Sequence, residues 1–142
     1  MEGKEHWPGA VYCDVFCEEG AFSLEQTRRI FEVASRAGLS LRLHADEFAS
    51  LGGVELAIEM GARSVDHLLA TTPEDAERLG MSDTIAVLMP ATPFGLGIAN
   101  TAPLPLLLQA DAIVALDRIA IRTAWCENMQ LHAGAGVPST GG

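Results

Sequence analysis

No stretch of this chain offers the roughly eighteen consecutive apolar residues that a bilayer-spanning helix requires. The opening residues, Met1-Glu2-Gly3-Lys4-Glu5-His6-Trp7-Pro8, hold no apolar core of the kind a secretory signal needs. Basic residues are scarce, with 9 Lys and Arg against 19 Asp and Glu and a formal net charge of −10. Nucleic acid and anionic membrane bind proteins largely through cations, so both are poor partners for such a chain. Cysteine is scarce as well. Cys13, Cys17 and Cys126 make neither an even disulfide set nor a Cys-x-x-Cys pair, which points to a reducing cytoplasm rather than secretion. Cys13 and Cys17 lack the neighbouring Cys or His that would complete a zinc site, and they read as buried thiols.

What remains is ample for a core. Of 142 residues, 49% are hydrophobic, and the mean hydropathy of +0.22 excludes general disorder. The length falls short of the roughly 250 residues of a complete (β/α)8 barrel.

Residues 1–10 are polar and broken by Pro8 and Gly9, and are expected to form a loose lead-in. Val11 to Cys17 reads as a strand. Ser23 with Gln26 three residues later is a capping box, which starts a helix over Leu24 to Ala37 with Ile30, Phe31, Val33 and Ala34 on its apolar face and Gly38 as its C-cap. A strand follows over Leu39 to Leu43, a short helix over Gly53 to Met60, and a third strand over Ser64 to Leu69. Thr72, then Pro73, Glu74 and Asp75, is a strong helix start, and that helix should reach about Leu79. Thr84 to Met89 is a fourth strand, ended by Pro90 and Pro93. Leu104 to Ala110 reads as a helix and Ala112 to Leu116 as a strand. Strands alternating with helices over short connections imply successive βαβ units and a parallel sheet.

The richest stretch is Leu41-Arg42-Leu43-His44-Ala45-Asp46-Glu47-Phe48, an apolar run that ends in a histidine, two acids and an aromatic. A histidine at the C-terminal end of a parallel strand points into the mouth of an α/β barrel, where metals and substrates sit. His44 is thus a candidate ligand, and Glu47, past the strand end, a candidate proton carrier. Taken alone, His44 is equally a strand-end histidine bonded to backbone and Glu47 a solvated loop acid. A second strand delivers His67 to the same end, preceded by Asp66. Two strand-end histidines on the same face, with Glu47 beside the first, favour a metal hydrolase. Asp66 reads as a supporting group rather than a ligand.

Asp14-Val15-Phe16-Cys17-Glu18-Glu19-Gly20-Ala21-Phe22-Ser23, Leu43-His44-Ala45-Asp46-Glu47-Phe48, Gly52-Gly53 and Ser64-Val65-Asp66-His67-Leu68 together resemble the imidazolonepropionase family of the amidohydrolase superfamily. The resemblance runs from about Cys13 to Gly97 and weakens beyond. It implies a partial (β/α)8 barrel over 11–131, roughly strands four to eight, and metal-dependent ring opening of 4-imidazolone-5-propanoate to N-formimidoyl-L-glutamate in histidine degradation. By that resemblance His44 is a ligand of a Zn²⁺ or Fe ion, Glu47 the acid/base group and His67 a second catalytic histidine. Cytosine and guanine deaminases share a similar histidine, Glu and second histidine, and the stretch from Phe16 to Phe22 is what favours imidazolonepropionase. A degenerate, non-catalytic chain is a further alternative.

The departures are specific. The family's first strand carries a His-x-His pair that this chain lacks, and His6 has no such partner. The family's β-sandwich domain is absent too. The isolated chain is therefore expected to be inactive and to pair with itself or with a missing complementary half across an open edge and an apolar inner face. The expected last-strand motif, Gly-Ser/Thr-Asp-x-Asn-Pro-Gly, is missing. Asp117 stands one place from where its metal-binding Asp belongs, and the family match resumes over Thr123 to Gln130. A one-base shift of reading frame over 116–122 can encode Gly-Ser-Asp-Arg-Asn-Pro. A shift over 132–142 can encode Met-Gln-Ala-Leu-Ala-Cys-Arg-Leu-Leu-Ala, which resembles the helix the family has there. Residues 117–122 and the Gly-rich tail 132–142 are thus expected to pack poorly, with Asp117 away from His44 and His67.

Overall fold

The computed structural model describes residues 9–99 and 101–117. They form one parallel sheet, β1 (Tyr12–Phe16), β2 (Ser40–Ala45), β3 (Ser64–His67), β4 (Ile85–Leu88) and β5 (Val114–Leu116), with the strands side by side in chain order. Helices α1 (Leu24–Arg36), α2 (Gly53–Glu59), α3 (Pro73–Gly80), α4 (Ala91–Gly95) and α5 (Leu104–Gln109) lie in the connections. A doubly wound sheet reverses its strand order at a switch point. Here the order never reverses, which is the topology of a (β/α)8 barrel opened along one side.

Local chemistry accounts for the main helix boundaries. At α1, the Ser23 hydroxyl accepts from the Gln26 N–H at 3.2 Å and the Gln26 side chain accepts from the Ser23 N–H at 2.9 Å. The helix closes on Ala37, one residue before the expected Gly38, and Gly38 takes the left-handed φ of 73° that follows a helix end. At α3 the Thr72 hydroxyl accepts from the Asp75 N–H at 3.2 Å, with Pro73 in the first turn. Helix α4 was not foreseen. Pro90 opens it, its φ of −63° being already helical.

Strand alternation sorts the core. Along β2, Leu41, Leu43 and Ala45 are buried on the helix side, where they join Val15, Phe31, Ala34, Val54 and Ala57 in one cluster. Full burial of a side chain such as Phe31 or Leu43 contributes roughly 1.5–3 kcal/mol. The opposite, inner face carries Asp14 and Phe16 from β1, Arg42 and His44 from β2, and Ser64 and Asp66 from β3. This corrects the expectation of an apolar inner face: apart from Phe16 at the end of β1, the residues named here on β1 to β3 are polar, and Ile85 and Val87 of β4 continue the two rows as apolar groups. Among the described residues β1 and β5 have no neighbour on their outer sides.

The Cys13 and Cys17 thiols are free, Cys17 buried and Cys13 half-buried, as expected. Burial, with nearby carboxylates adding, raises both above the ordinary thiol range, so neither is a ready thiolate. Cys126, His6 and the tail 132–142 lie outside the described residues.

Candidate active site

The strands end together, and their C-terminal edge gathers the polar side chains. His44 is the penultimate residue of β2. In the pairing of β2 with β3, His44 lies opposite Asp66, and His67 opposite Ala45. Regular alternation would send His67 to the helix side. Instead the backbone turns left-handed at His67 (φ 81°) and Leu68 (φ 61°). The His67 ring consequently lies with its centroid 5.1 Å from that of His44.

A third non-glycine residue, Asp46, has φ 55°, directly after β2. Its carbonyl accepts from the Ala70 N–H at 2.8 Å, while the Ala45 carbonyl accepts from the Leu68 N–H at 3.2 Å, so the two turns brace each other. Left-handed backbone at such residues costs on the order of 1–3 kcal/mol each and persists where the surroundings over-determine it, commonly at functional sites. Between the turns, Glu47 is buried, and its Oε1 lies 3.7 Å from His67 Nδ1.

That separation is too long for a hydrogen bond, and His67 Nδ1 has no hydrogen-bond partner among the described residues. Burial, with the charge of His44 adding, pushes His67 down to about 4. Burial also raises Glu47, opposed by the charge of His44 and assisted by that of Glu18. At neutral pH the pair is therefore an uncharged imidazole facing a carboxylate, not an ion pair.

His44 is in a different state. Its Nε2 donates to Asp14 Oδ2 at 3.1 Å, and its Nδ1 lies 4.0 Å from Asp66 Oδ2. Burial alone would lower its pKa, but the Asp14 hydrogen bond and the Asp14 and Asp66 charges outweigh that and raise it. Asp66 is fully buried and accepts from Arg42 Nη2 at 3.1 Å and from the Ser64 hydroxyl at 2.8 Å. It thus ties Arg42 and Ser64 together beside His44.

Asp117 follows β5 at the same edge of the sheet, and its N–H donates to the Leu88 carbonyl at 2.9 Å. Strand β4 stands between it and His67. Among the described residues no three His, Cys, Asp or Glu side chains converge tightly enough to hold an ion. His44, His67 and Asp117 thus do not make a metal cage by themselves, and a metal centre here needs donors from outside the described residues.

Beside His67 lies a cavity of about 210 Å³, walled mainly by Leu69, Leu88, Met89, Pro93, Leu104 and Leu116. An apolar hollow with an imidazole at its margin suits a small ring. Sequence reasoning missed Asp14 and Arg42 as partners within the site. Period-2 alternation was the available signal, because it puts Asp14 and Phe16 on the face that carries His44.

A parallel sheet in chain order with histidines and acids at its C-terminal edge is the architecture of a (β/α)8 barrel that keeps its site at the strand ends. Solved structures agree. The chain matches an adenosine deaminase from Xanthomonas campestris with bound zinc at TM-score 0.56 and 15% identity, over 79% of this chain and 29% of that one. It matches an adenine deaminase from Arthrobacter aurescens at TM-score 0.60 and 21% identity, over 76% of this chain and 34% of that one. At such identities these neighbours define the fold alone.

Sequence relatives narrow the class. The chain is 50% identical over 126 residues to the imidazolonepropionase of Herpetosiphon aurantiacus, covering 88% of this chain and 30% of that protein. It is 43% identical over 127 residues to that of Haloarcula marismortui, covering 87% and 28%. No family model matches. The chain is similar in sequence to imidazolonepropionases over most of its length, and it spans about 30% of the length of the curated relatives it matches.

Proposed function

We propose that this chain is the proton-handling segment of an imidazolonepropionase, acting in the hydrolysis of 4-imidazolone-5-propanoate to N-formimidoyl-L-glutamate in histidine degradation. The supporting observation is the meeting of Glu47 and uncharged His67, 3.7 Å apart, beside His44 at the strand ends. Ring opening adds water to the ring carbonyl, breaks its C–N bond and returns a proton to the departing nitrogen. Glu47 Oε1 is the group that accepts a proton from the attacking water, and its burial makes the carboxylate a stronger base. His67 Nδ1, without a hydrogen-bond partner among the described residues and facing Glu47, can hold or relay that proton. The apolar cavity beside His67 takes the ring and keeps bulk water from it.

The reading includes a Zn²⁺ or Fe ion with His44 as one ligand. Its remaining donors lie outside the described residues, with Asp117 the only candidate within them, so no step is derived through the ion. On this reading the chain supplies one part of a catalytic barrel, and its partner is the complementary part.

The decisive experiment supplies that part, in trans or by fusion, from the Herpetosiphon aurantiacus protein. Imidazolone propionate should then be consumed, and Glu47→Gln should nearly abolish turnover while leaving metal content unchanged. A fully active Glu47→Gln variant removes Glu47 from the mechanism. Release of ammonia from adenine, cytosine or guanine by the restored protein would favour a deaminase. A second, non-catalytic reading draws on the lack of three converging donors among the described residues. It requires that the restored protein stay inactive.

A further inference from the structure

Glu18 is a buried acid that the functional reading does not use. It follows Cys17, just past β1, and is 2% exposed. Its Oε1 accepts from the Glu19 N–H at 3.0 Å. Its Oε2 crosses to the neighbouring connection and accepts from the Phe48 N–H at 3.0 Å and the Ala49 N–H at 3.4 Å. The two amides follow Glu47 directly, on the segment that leaves β2 through the left-handed turn at Asp46. The β1–β2 ladder reaches up to this point, since the Cys17 N–H donates to the His44 carbonyl at 2.9 Å.

We propose that Glu18 is a positioning residue, whose carboxylate clamps the Phe48–Ala49 backbone and so holds Glu47 against His67. Asp46 is anchored upstream of Glu47 through its carbonyl to Ala70. Without the Glu18 bonds, Glu47 would sit on a longer, looser loop whose next tie is Gly52, whose carbonyl accepts from the Leu56 N–H of α2. Bonds from backbone N–H groups to a carboxylate are the strong, charge-assisted kind, and burial removes competing water. A carboxylate is also the group suited to this post, because it is acceptor-only and both its oxygens face N–H donors. A glutamine there keeps the shape but turns an amide NH₂ towards one of those donors.

The clamp rests on the functional reading only in giving Glu47 its importance, and its test does not use activity. The full chain carries it, by amide hydrogen exchange and histidine ring NMR. In Glu18→Ala, the Phe48 and Ala49 amides should exchange roughly ten- to a hundredfold faster, as expected for loss of a charge-assisted bond. The His67 ring resonances should move as Glu47 departs, while amides of Leu56, Ala57 and Leu79 in α2 and α3 keep their protection. Glu18→Gln should restore part of the protection at Phe48 and part of the His67 signature. Unchanged exchange at Phe48 and Ala49 in a folded Glu18→Ala chain would overturn the proposal. So would faster exchange with an unmoved His67 ring, which would leave Glu18 a purely structural tie. Should both variants unfold, the unaltered chain decides: a through-hydrogen-bond coupling between the Phe48 amide nitrogen and the Glu18 carboxyl carbon supports the clamp, and its absence overturns it. Failure of catalysis in the restored enzyme would count against the functional reading and leave the clamp standing.

Discussion

His44 Nε2 donates a 3.1 Å hydrogen bond to Asp14 Oδ2, joining the side chains of two adjacent parallel strands on the inner face of the sheet. Each group shifts the other's proton affinity. Burial raises Asp14, but the His44 bond and charge, with Arg42, outweigh it and hold the carboxyl below its ordinary 3.8. His44 is held above its ordinary 6.5. The depressed carboxyl contributes stability above 3.8 that is lost as pH falls through its folded value. The raised imidazole contributes stability below 6.5 that is lost as pH rises through its folded value. The pair therefore supports the fold most between these two values.

Asp14→Asn should accordingly lower the His44 pKa and flatten stability across that window. Because the Asp14 side chain is 44% exposed, solvent screening limits the loss to about 0–1 kcal/mol. Titration of the His44 ring by NMR is the check. An unchanged midpoint would mean that Asp66, at 4.0 Å from Nδ1, carries the shift instead.

Asp46 gives the opposite pH dependence. Burial, with the charges of Asp75 and Glu18, raises its carboxyl from 3.8 to about 6 against the Thr71 hydrogen bond. A carboxyl raised in the fold favours the protonated state, so its contribution is present below 3.8 and becomes a penalty as pH rises through about 6. Asp46→Asn keeps an acceptor for the Thr71 hydroxyl and suits the left-handed φ of 55°. The variant should be more stable than the parent by about 1–3 kcal/mol near pH 8, and the gain should vanish near pH 3.5. Urea midpoints at the two pH values measure it, and an equal difference at both would exclude ionisation as the cause.

The limits of the sequence reading follow from the same residues. Ser23 with Gln26 and Thr72 with Pro73 announce their helices because capping is local chemistry, and both caps are present. All five strands were legible from apolar runs between breakers, to within a few residues at their ends. The polar inner face was not, because Asp14, Arg42 and Ser64 fall in one row only through the register between three strands, which no local pattern specifies. Nor was the route of His67. A left-handed φ at His67 and Leu68 is a choice of the assembled site that neither residue type advertises, and alternation alone predicts the wrong face. The Glu18 clamp is non-local, spanning thirty positions to Phe48, and no spacing rule finds such a contact.

Gly53, at the start of α2, packs on β2 directly behind the Ala45 that precedes the active turn. A Cβ added there would lie 2.6 Å from the Ala45 Cβ, a contact that no rotamer can relieve. Gly53→Ala should cost about 1–3 kcal/mol, as overpacking does, and should disturb the Asp46–Glu47 turn it supports. The thermal midpoint and the His67 ring spectrum report these together. Undiminished stability would show that α2 shifts freely over β2.

The last prediction concerns Asp117. Its N–H extends the β4–β5 pairing by bonding the Leu88 carbonyl, so the strand reaches the edge where a barrel enzyme of this class places a metal-binding acid. Yet it does not join His44 and His67 in a three-donor cluster among the described residues. A one-base shift of frame would account for both facts: the strand up to Leu116 would be in frame and pair, while the residues after it would no longer spell Gly-Ser-Asp-Arg-Asn-Pro. The gene should then carry codons over 116–122 that yield this motif in the alternate frame, and codons over 132–142 that yield Ala-Leu-Ala-Cys-Arg. Restoring the frame in a protein that also contains the complementary half should increase bound zinc or iron, read by elemental analysis after dialysis, relative to the same protein with the present sequence. Codons incompatible with either hidden motif would sink the idea. Equal metal content before and after restoration would do so as well, and would return Asp117 to consideration as a ligand in its own right.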